Sequence, residues 1–319
     1  MEARLVETVI LGHAVGDALG VPVEFFSREK LAQHPVKDML GFGTLPVPQG
    51  SWSNVTSLPL ACMDAMSGVG YVDYHAIMEK FDAYLSHGKY TPDGEFFDIG
   101  HHTRHAILKF REGTPPQLCG NASSTSNGCG ALVRMDPVIL YLYARHGNDL
   151  ETSDMQIIHD MASITNAHPI SHIVCGLYVL LSVELCHGTS FMEALKSALA
   201  TTRDFYRFLP NYTDCLSTVL EHLNEPEQLV QMSSEKIESD GYVVHVLEAV
   251  IWTLLHTKNF ATAVMTAVNL GNNTNTLGAV TGSLAALLYG QQSIPERWLK
   301  ALRGREQLER ICQDFELHF

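Results

Sequence analysis

Apolar residues recur every three to four positions along most of the chain. This spacing predicts helices near 3–20, 56–68, 73–87, 102–112, 154–165, 171–186, 191–201, 242–257, 259–268 and 276–289. Alternating β-branched and polar residues, the mark of a half-buried strand, are nearly absent. The expected fold is all-α. The segment near 242–257 is apolar almost all round, as a central helix would be. Glycines and prolines punctuate the joints at 46–50, 92–94 and 113–116, and no Pro/Gly/Ser-rich linker or charge block divides the chain. A single domain over 1–319 is expected.

Gly12, Gly16 and Gly20 recur every fourth position, as do Gly278, Gly282, Ala286 and Gly290. Residues at that spacing share a helix face, and small ones let two backbones approach closely. Helix propensity disfavours them, since an interior glycine costs roughly 1 kcal/mol relative to alanine. The strips predict that the first helix and helix 276–289 are inner helices in contact, with Asp17 brought near the 271–276 loop.

Composition is that of an ordinary globular chain, 46% hydrophobic and 18% charged. The formal charge of −14 argues against nucleic acid or an anionic membrane as the main partner. MEARLVETVILGHAVGDALG carries Glu2 and Glu7 and is broken by glycines, unlike a secretory signal. The most apolar run, HIVCGLYVLLSVELCHG, is interrupted by Glu184 and reads as a buried helix rather than a membrane span. Seven cysteines without CxxC spacing suit a reducing, cytoplasmic setting.

Two polar knots run into helical segments: SWSNVTSLPLA (51–61) and GNNTNTLGAVTG (271–282). Asparagine is favoured where a chain enters a helix, so capping explains Asn54, Asn273 and Asn275 as well as ligand contact does. Ser126-Asn127-Gly128 and Gly130 form a turn whose N–H groups suit phosphate oxygens, or an ordinary turn after NASSTS. Sixteen histidines raise the alternative of an imidazole-bound transition metal using His101, His102, His105, His168, His172 or His245. No HExxH or Cys/His cluster accompanies them. Asp98 and Glu248 read as structural, the first preceding a helix and the second on a buried one.

Seven stretches occur in order: GHAVGDALGVPVEF (12–25), GSWSNVTSLPLACMDAM (50–66), FDIGHHTRHAI (97–107), SNGCGALVRMDP (126–137), TNAHPIS (165–171), GYVVHVLEAVIW (241–252) and NLGNNTNTLGAVTGSLAALLYG (269–290). Together they resemble the ADP-ribosylglycohydrolase family, from Gly12 to about Trp298. The resemblance implies a compact orthogonal helical bundle with two magnesium ions in a cleft between helix ends. It places the metal positions on Ser53, Asn54, Val55, Asn273, Asn275 and Thr276, with Glu24 as the assisting catalytic glutamate. It also implies ligand contacts from Gly100, His101, His102, Thr103, Ser126, Asn127, Gly128 and Asn166.

All four aspartates of the family's metal motifs are replaced here, by Asn54, Val55, Asn273 and Asn275. Magnesium demands hard oxygen ligands and several carboxylates to offset its charge. The family's Thr-His reads Thr165-Asn166, and its DIG-x-TTR loop reads Asp98 to Arg104 with two histidines in it. Pro59 sits where the helix after the first motif should run and is expected in that helix's first turn. The sequence therefore predicts a degenerate pseudoenzyme without bound metal. It would still bind ADP-ribose, a related nucleotide or an ADP-ribosylated protein. The alternatives are a hydrolase with a histidine-bound, ligand-supplied or absent metal, and an interaction scaffold with a vestigial cleft.

Overall fold

A computed structural model describes residues 4–319. In chain order the α-helices are α1 (Leu5–Gly20), α2 (Arg28–Gln33), α3 (Asn54–Val69), α4 (Tyr74–His87), α5 (His101–Arg111), α6 (Asp136–His146), α7 (Thr152–Ser163) and α8 (Pro169–Cys186). There follow α9 (Phe191–Tyr206), α10 (Thr213–Leu220), α11 (Pro226–Leu229), α12 (Val243–His256), α13 (Phe260–Asn269), α14 (Thr274–Tyr289), α15 (Glu296–Ala301) and α16 (Arg305–Glu316). No strand occurs among the described residues, only two isolated bridges, Asn121 with Asn166 and Gly128 with Tyr242.

Every helix expected from periodicity is present, with ends shifted by a few residues. Residue 3, the expected start of the first, lies outside the described residues. Periodicity does not reveal helix α6, because Val138 to Leu142 are buried without a polar face to set a period. Nor does it reveal the short helices α2, α10, α11 and α15 or the terminal α16.

Helices α1 and α14 pack backbone to backbone at the centre. A Cβ at Gly16 would lie 1.9 Å from the Gly278 carbonyl oxygen, and one at Gly12 would lie 2.5 Å from that of Gly282. The glycine strips are thus a contact that only glycine permits. Two segments, Leu5–Val23 and Pro169–Cys186, are long and apolar enough to cross a bilayer. Their most apolar windows are 89% and 83% buried inside the protein, which accounts for that apolarity as core.

Pro59 lies in the second turn of α3 rather than the first. Proline has no N–H, so the carbonyl four residues earlier, that of Val55, loses its helical partner. His13 of α1 supplies the substitute: its Nε2 lies 3.0 Å from the Val55 oxygen. Its Nδ1 meets Asp136 Oδ2 at 2.8 Å, and Tyr178 and Ser283 also donate to Asp136. Both ring nitrogens face acceptors, an arrangement that favours the protonated imidazole. Burial opposes the charge, but Asp136 and Asp17 outweigh it and raise the pKa.

Candidate functional site

The N-termini of α3, α5 and α14 converge with the turn after α1 and the 128–130 loop. Together they enclose a cavity of about 360 Å³. The start of α3 is anchored from a distance. Asp17, fully buried on α1, accepts from the backbone N–H of Ser53 (2.9 Å) and Thr56 (3.0 Å). It also accepts from the hydroxyls of Ser53 (2.8 Å) and Thr56 (2.7 Å). One carboxylate from another helix therefore caps α3 and sets its direction. Burial pushes Asp17 up to about 6, against the pull of Thr56, His13 and Ser53. The start of α14 meets α1 where a Cβ on Gly20 would lie 2.4 Å from the backbone of Asn275. Asp17 and the 271–276 loop are thus joined through Ser53, which accepts from Asn275 Nδ2 at 3.3 Å.

Five of the residues to which the resemblance assigns metal positions line the cavity: Asn54, Val55, Asn273, Asn275 and Thr276. Ser53 lies just behind them, 1% exposed, spent on Asp17. The amide nitrogens are committed. Asn54 Nδ2 donates to Asp98 Oδ2, and Asn273 Nδ2 reaches Cys129 Sγ at 3.3 Å. Asn275 Oδ1 accepts from the Thr276 N–H at 2.8 Å, which turns its Nδ2 toward Ser53.

These residues do not fit a pair of magnesium ions. Val55 presents an apolar side chain, and Asn54 and Asn275 turn N–H groups rather than oxygens toward the neighbours they hold. Among the described residues no group of three or more His, Cys, Asp or Glu side chains is arranged to hold a metal.

Two carboxyl groups line the cavity, not one. Glu24 takes its expected place, and Asp98, read from sequence as structural, joins it. Burial raises both, and the neighbouring Asp98 and Asp17 add to the rise at Glu24, to about 8. At neutral pH Glu24 is therefore largely a carboxylic acid. Phe25 follows at the rim with a left-handed backbone (φ 66°) and 72% exposure. Its N–H donates to Asn272 O at 2.7 Å, and Asn272 N–H returns a bond to Phe26 O.

Gly100, His101, His102, Thr103, Gly128 and Asn166 line the opposite wall. Asn166 Nδ2 donates to Ser126 O (3.0 Å), and buried Arg134 donates to Gly130, Met161 and Ala162 carbonyls, so the 126–130 loop is stapled to α7. Ser126 and Asn127, expected to touch ligand, sit behind this wall. Asn127 is spent on Ser124 O and Ser171 Oγ, and the Ser126 hydroxyl is buried without a partner.

The wider histidine grouping does not form. Only His101 and His102 reach the cavity. His168 caps α8, His245 pairs with Asp240, and His172 is buried against Ser163 and Tyr212. Sequence reasoning missed Asp98, Phe25, Cys129, Val133 and Gly241 as lining residues. Each lies inside one of the seven motif stretches, Asp98 in FDIGHHTRHAI, Phe25 at the end of GHAVGDALGVPVEF, Cys129 and Val133 in SNGCGALVRMDP and Gly241 at the start of GYVVHVLEAVIW, and that membership was the available signal.

The description ADP-ribosylglycohydrolase belongs to the family profile that matches residues 3–319. ADP-ribosylarginine hydrolases of Serratia proteamaculans and Pseudomonas putida are 29% and 28% identical, over 95% and 96% of this chain and 76% of theirs. The ADP-ribosyl-[dinitrogen reductase] glycohydrolase of Rhodospirillum rubrum is 29% identical over 94% of this chain and 90% of its own. Among solved structures, an ADP-ribosylglycohydrolase-related protein complex superposes with a TM-score of 0.76 at 25% identity, covering 100% of this chain and 99% of the other. An all-α bundle built around paired glycine strips, a cleft at three helix N-termini and a match over nearly every residue lead to one assignment: the chain belongs to the ADP-ribosylglycohydrolase family.

Proposed function

We propose that this protein binds the ADP-ribose unit of a free nucleotide or of an ADP-ribosylated protein, and lacks the dinuclear magnesium chemistry of its hydrolytic relatives. The observation that carries the reading is the direction of the amides. Asn54 and Asn275 point N–H groups at Asp98 and Ser53, where a cation would need oxygens pointing at itself. Exchanging four carboxylates and two divalent cations for neutral groups leaves the net charge unchanged, so the helix N-termini still face a balanced cleft. The 128–130 loop and the start of α5, which Gly100 leaves without a side-chain cap, offer N–H groups to a diphosphate. Seven free cysteines accord with a reducing, cytoplasmic setting.

The test is elemental analysis together with calorimetry against ADP-ribose and an assay for ADP-ribose release from modified arginine. The expected outcome is no stoichiometric magnesium, measurable ADP-ribose binding and background release. Restoring Asn54→Asp, Val55→Asp, Asn273→Asp and Asn275→Asp together should create magnesium binding. Magnesium-dependent turnover by the unaltered protein overturns the reading, and absent ADP-ribose binding reduces the cleft to a scaffold.

A rival reading is a metal-independent hydrolase. It is favoured by one observation, the two buried carboxyl groups of Glu24 and Asp98 lining a single cavity, with burial raising the pKa of Glu24 to about 8. Turnover that survives chelator and is lost in Glu24→Gln would select it.

A further inference from the structure

We infer that Asn54 and Asn275 do the mechanical work of a missing cation: their amides are the cross-links that hold the cleft's walls together. This rests on the reading that the site holds no metal, and it concerns what keeps such a site in shape. A cleft at three helix N-termini with carboxyl groups in it needs positive charge or hydrogen-bond donors between its oxygens. The lining offers no lysine or arginine. The amides supply the donors.

The polarity of each link is dictated by its neighbours. At the first, Asp98 Oδ2 accepts from Asn54 Nδ2, so the amide presents its N–H₂ group to the carboxyl oxygen. This joins α3 to the 98–100 turn, which Tyr84 of α4 also grips through the Asp98 carbonyl. At the second, Ser53 spends its only proton on Asp17 Oδ1 at 2.8 Å. Its lone pairs are left to accept from Val55 N–H at 3.1 Å and Asn275 Nδ2 at 3.3 Å. Asn275 cannot turn over, because its oxygen holds the Thr276 N–H. This joins α14 to α3.

The third amide differs. Asn273 faces the thiol of Cys129, which can donate as well as accept, so its polarity is not forced.

A substitution of one atom follows at each position. Asn54→Asp sets a carboxylate oxygen against the Asp98 oxygen, and Asn275→Asp sets one against the lone pairs of Ser53. Asn273→Asp meets a thiol that can turn its proton around.

Thermal melting of the whole chain in chelator tests this without any nucleotide, so its result stands apart from ADP-ribose binding. Asn54→Asp and Asn275→Asp should each lower Tm by roughly 3–8 °C, and Asn273→Asp by less than half as much. The double variant Asn54→Asp with Asp98→Asn reverses the donor and acceptor of the first link and should recover at least half of that loss. Millimolar Mn²⁺ should raise Tm for Asn54→Asp, whose new carboxylate would stand beside Asp98 and Glu24, and should not do so for Asn54→Ala. If Asn54→Asp does not fold in chelator, the reversed pair and Asn54→Ala carry the test.

Three results overturn the inference. One is Asn54→Asp melting with the unaltered protein in chelator. The others are losses that simply add in the reversed pair, and equal losses at 54, 273 and 275.

Discussion

At the scale of single residues, Glu24 carries the sharpest electrostatic tension in the cleft. Its carboxyl is 7% exposed and faces Asp98 and Asp17, and its pKa rises to about 8. A group whose folded pKa exceeds its unfolded value binds more protons when folded, so ionising it destabilises the native state. The penalty is absent below pH 4.5, grows as pH rises toward 8 and is constant above that. Glu24→Gln removes it. The variant should match the parent near pH 4 and exceed it at pH 8 by on the order of 1–3 kcal/mol in denaturant unfolding. A uniform shift at all pH values would show that packing, not charge, governs the site. Asp98 is the residue that the linear chain disguised. An aspartate just before a helix reads as a cap, and only its meeting with Asn54, 44 positions away, puts it in the cavity.

At the scale of elements, α3 shows how a helix with a proline in its second turn is made stable by another helix. The free Val55 carbonyl is answered by His13, and the free N–H groups at its start are answered by Asp17. Both come from one face of α1, which glycine contact with α14 holds in place. His13→Ala would strand the Val55 carbonyl and remove the donor facing Asp136, at a cost of about 2–4 kcal/mol. Pro59→Ala would return an N–H to the same carbonyl. The double variant should therefore lose less than the sum of its parts by about 1 kcal/mol, measured as a double-mutant cycle in chemical unfolding. Strict additivity would mean that His13 acts only through Asp136.

At the scale of the whole molecule, acid stability should be set by histidines that do not line the cleft. His159 and His172 stack at 4.9 Å between α7 and α8 and are closed over by Tyr206 and Tyr212. Burial lowers their pKa values to about 4 and about 3, with His159 and His168 adding to the effect at His172. They stay neutral in the folded state. The unfolded chain takes up protons below about pH 6.5, so stability is full above that and falls as pH drops toward 4. His159→Gln should flatten this acid limb, removing on the order of 2 kcal/mol of pH dependence between pH 6.5 and 4.5. Denaturant midpoints across that range check it. An unchanged slope would place the titrating groups elsewhere.

The sequence by itself determined the helical class, the positions of the long amphipathic helices and the contact between the two glycine strips. Each of these follows from residues a few positions apart, where periodicity and close packing act. It also shows asparagine or valine at the four positions, 54, 55, 273 and 275, that the resemblance assigns to metal-binding aspartates. The tertiary structure decided which polar groups meet. Asp17 capping α3 bridges 36 positions to Ser53, His13 answering Val55 bridges 42, and Asn275 reaching Ser53 bridges 222. It also put Ser126 and Asn127 behind the wall and Phe25 on the rim. A hydrogen bond is directional and reaches only about three ångströms, so its partner is chosen by where the helices come to rest and not by their order in the chain.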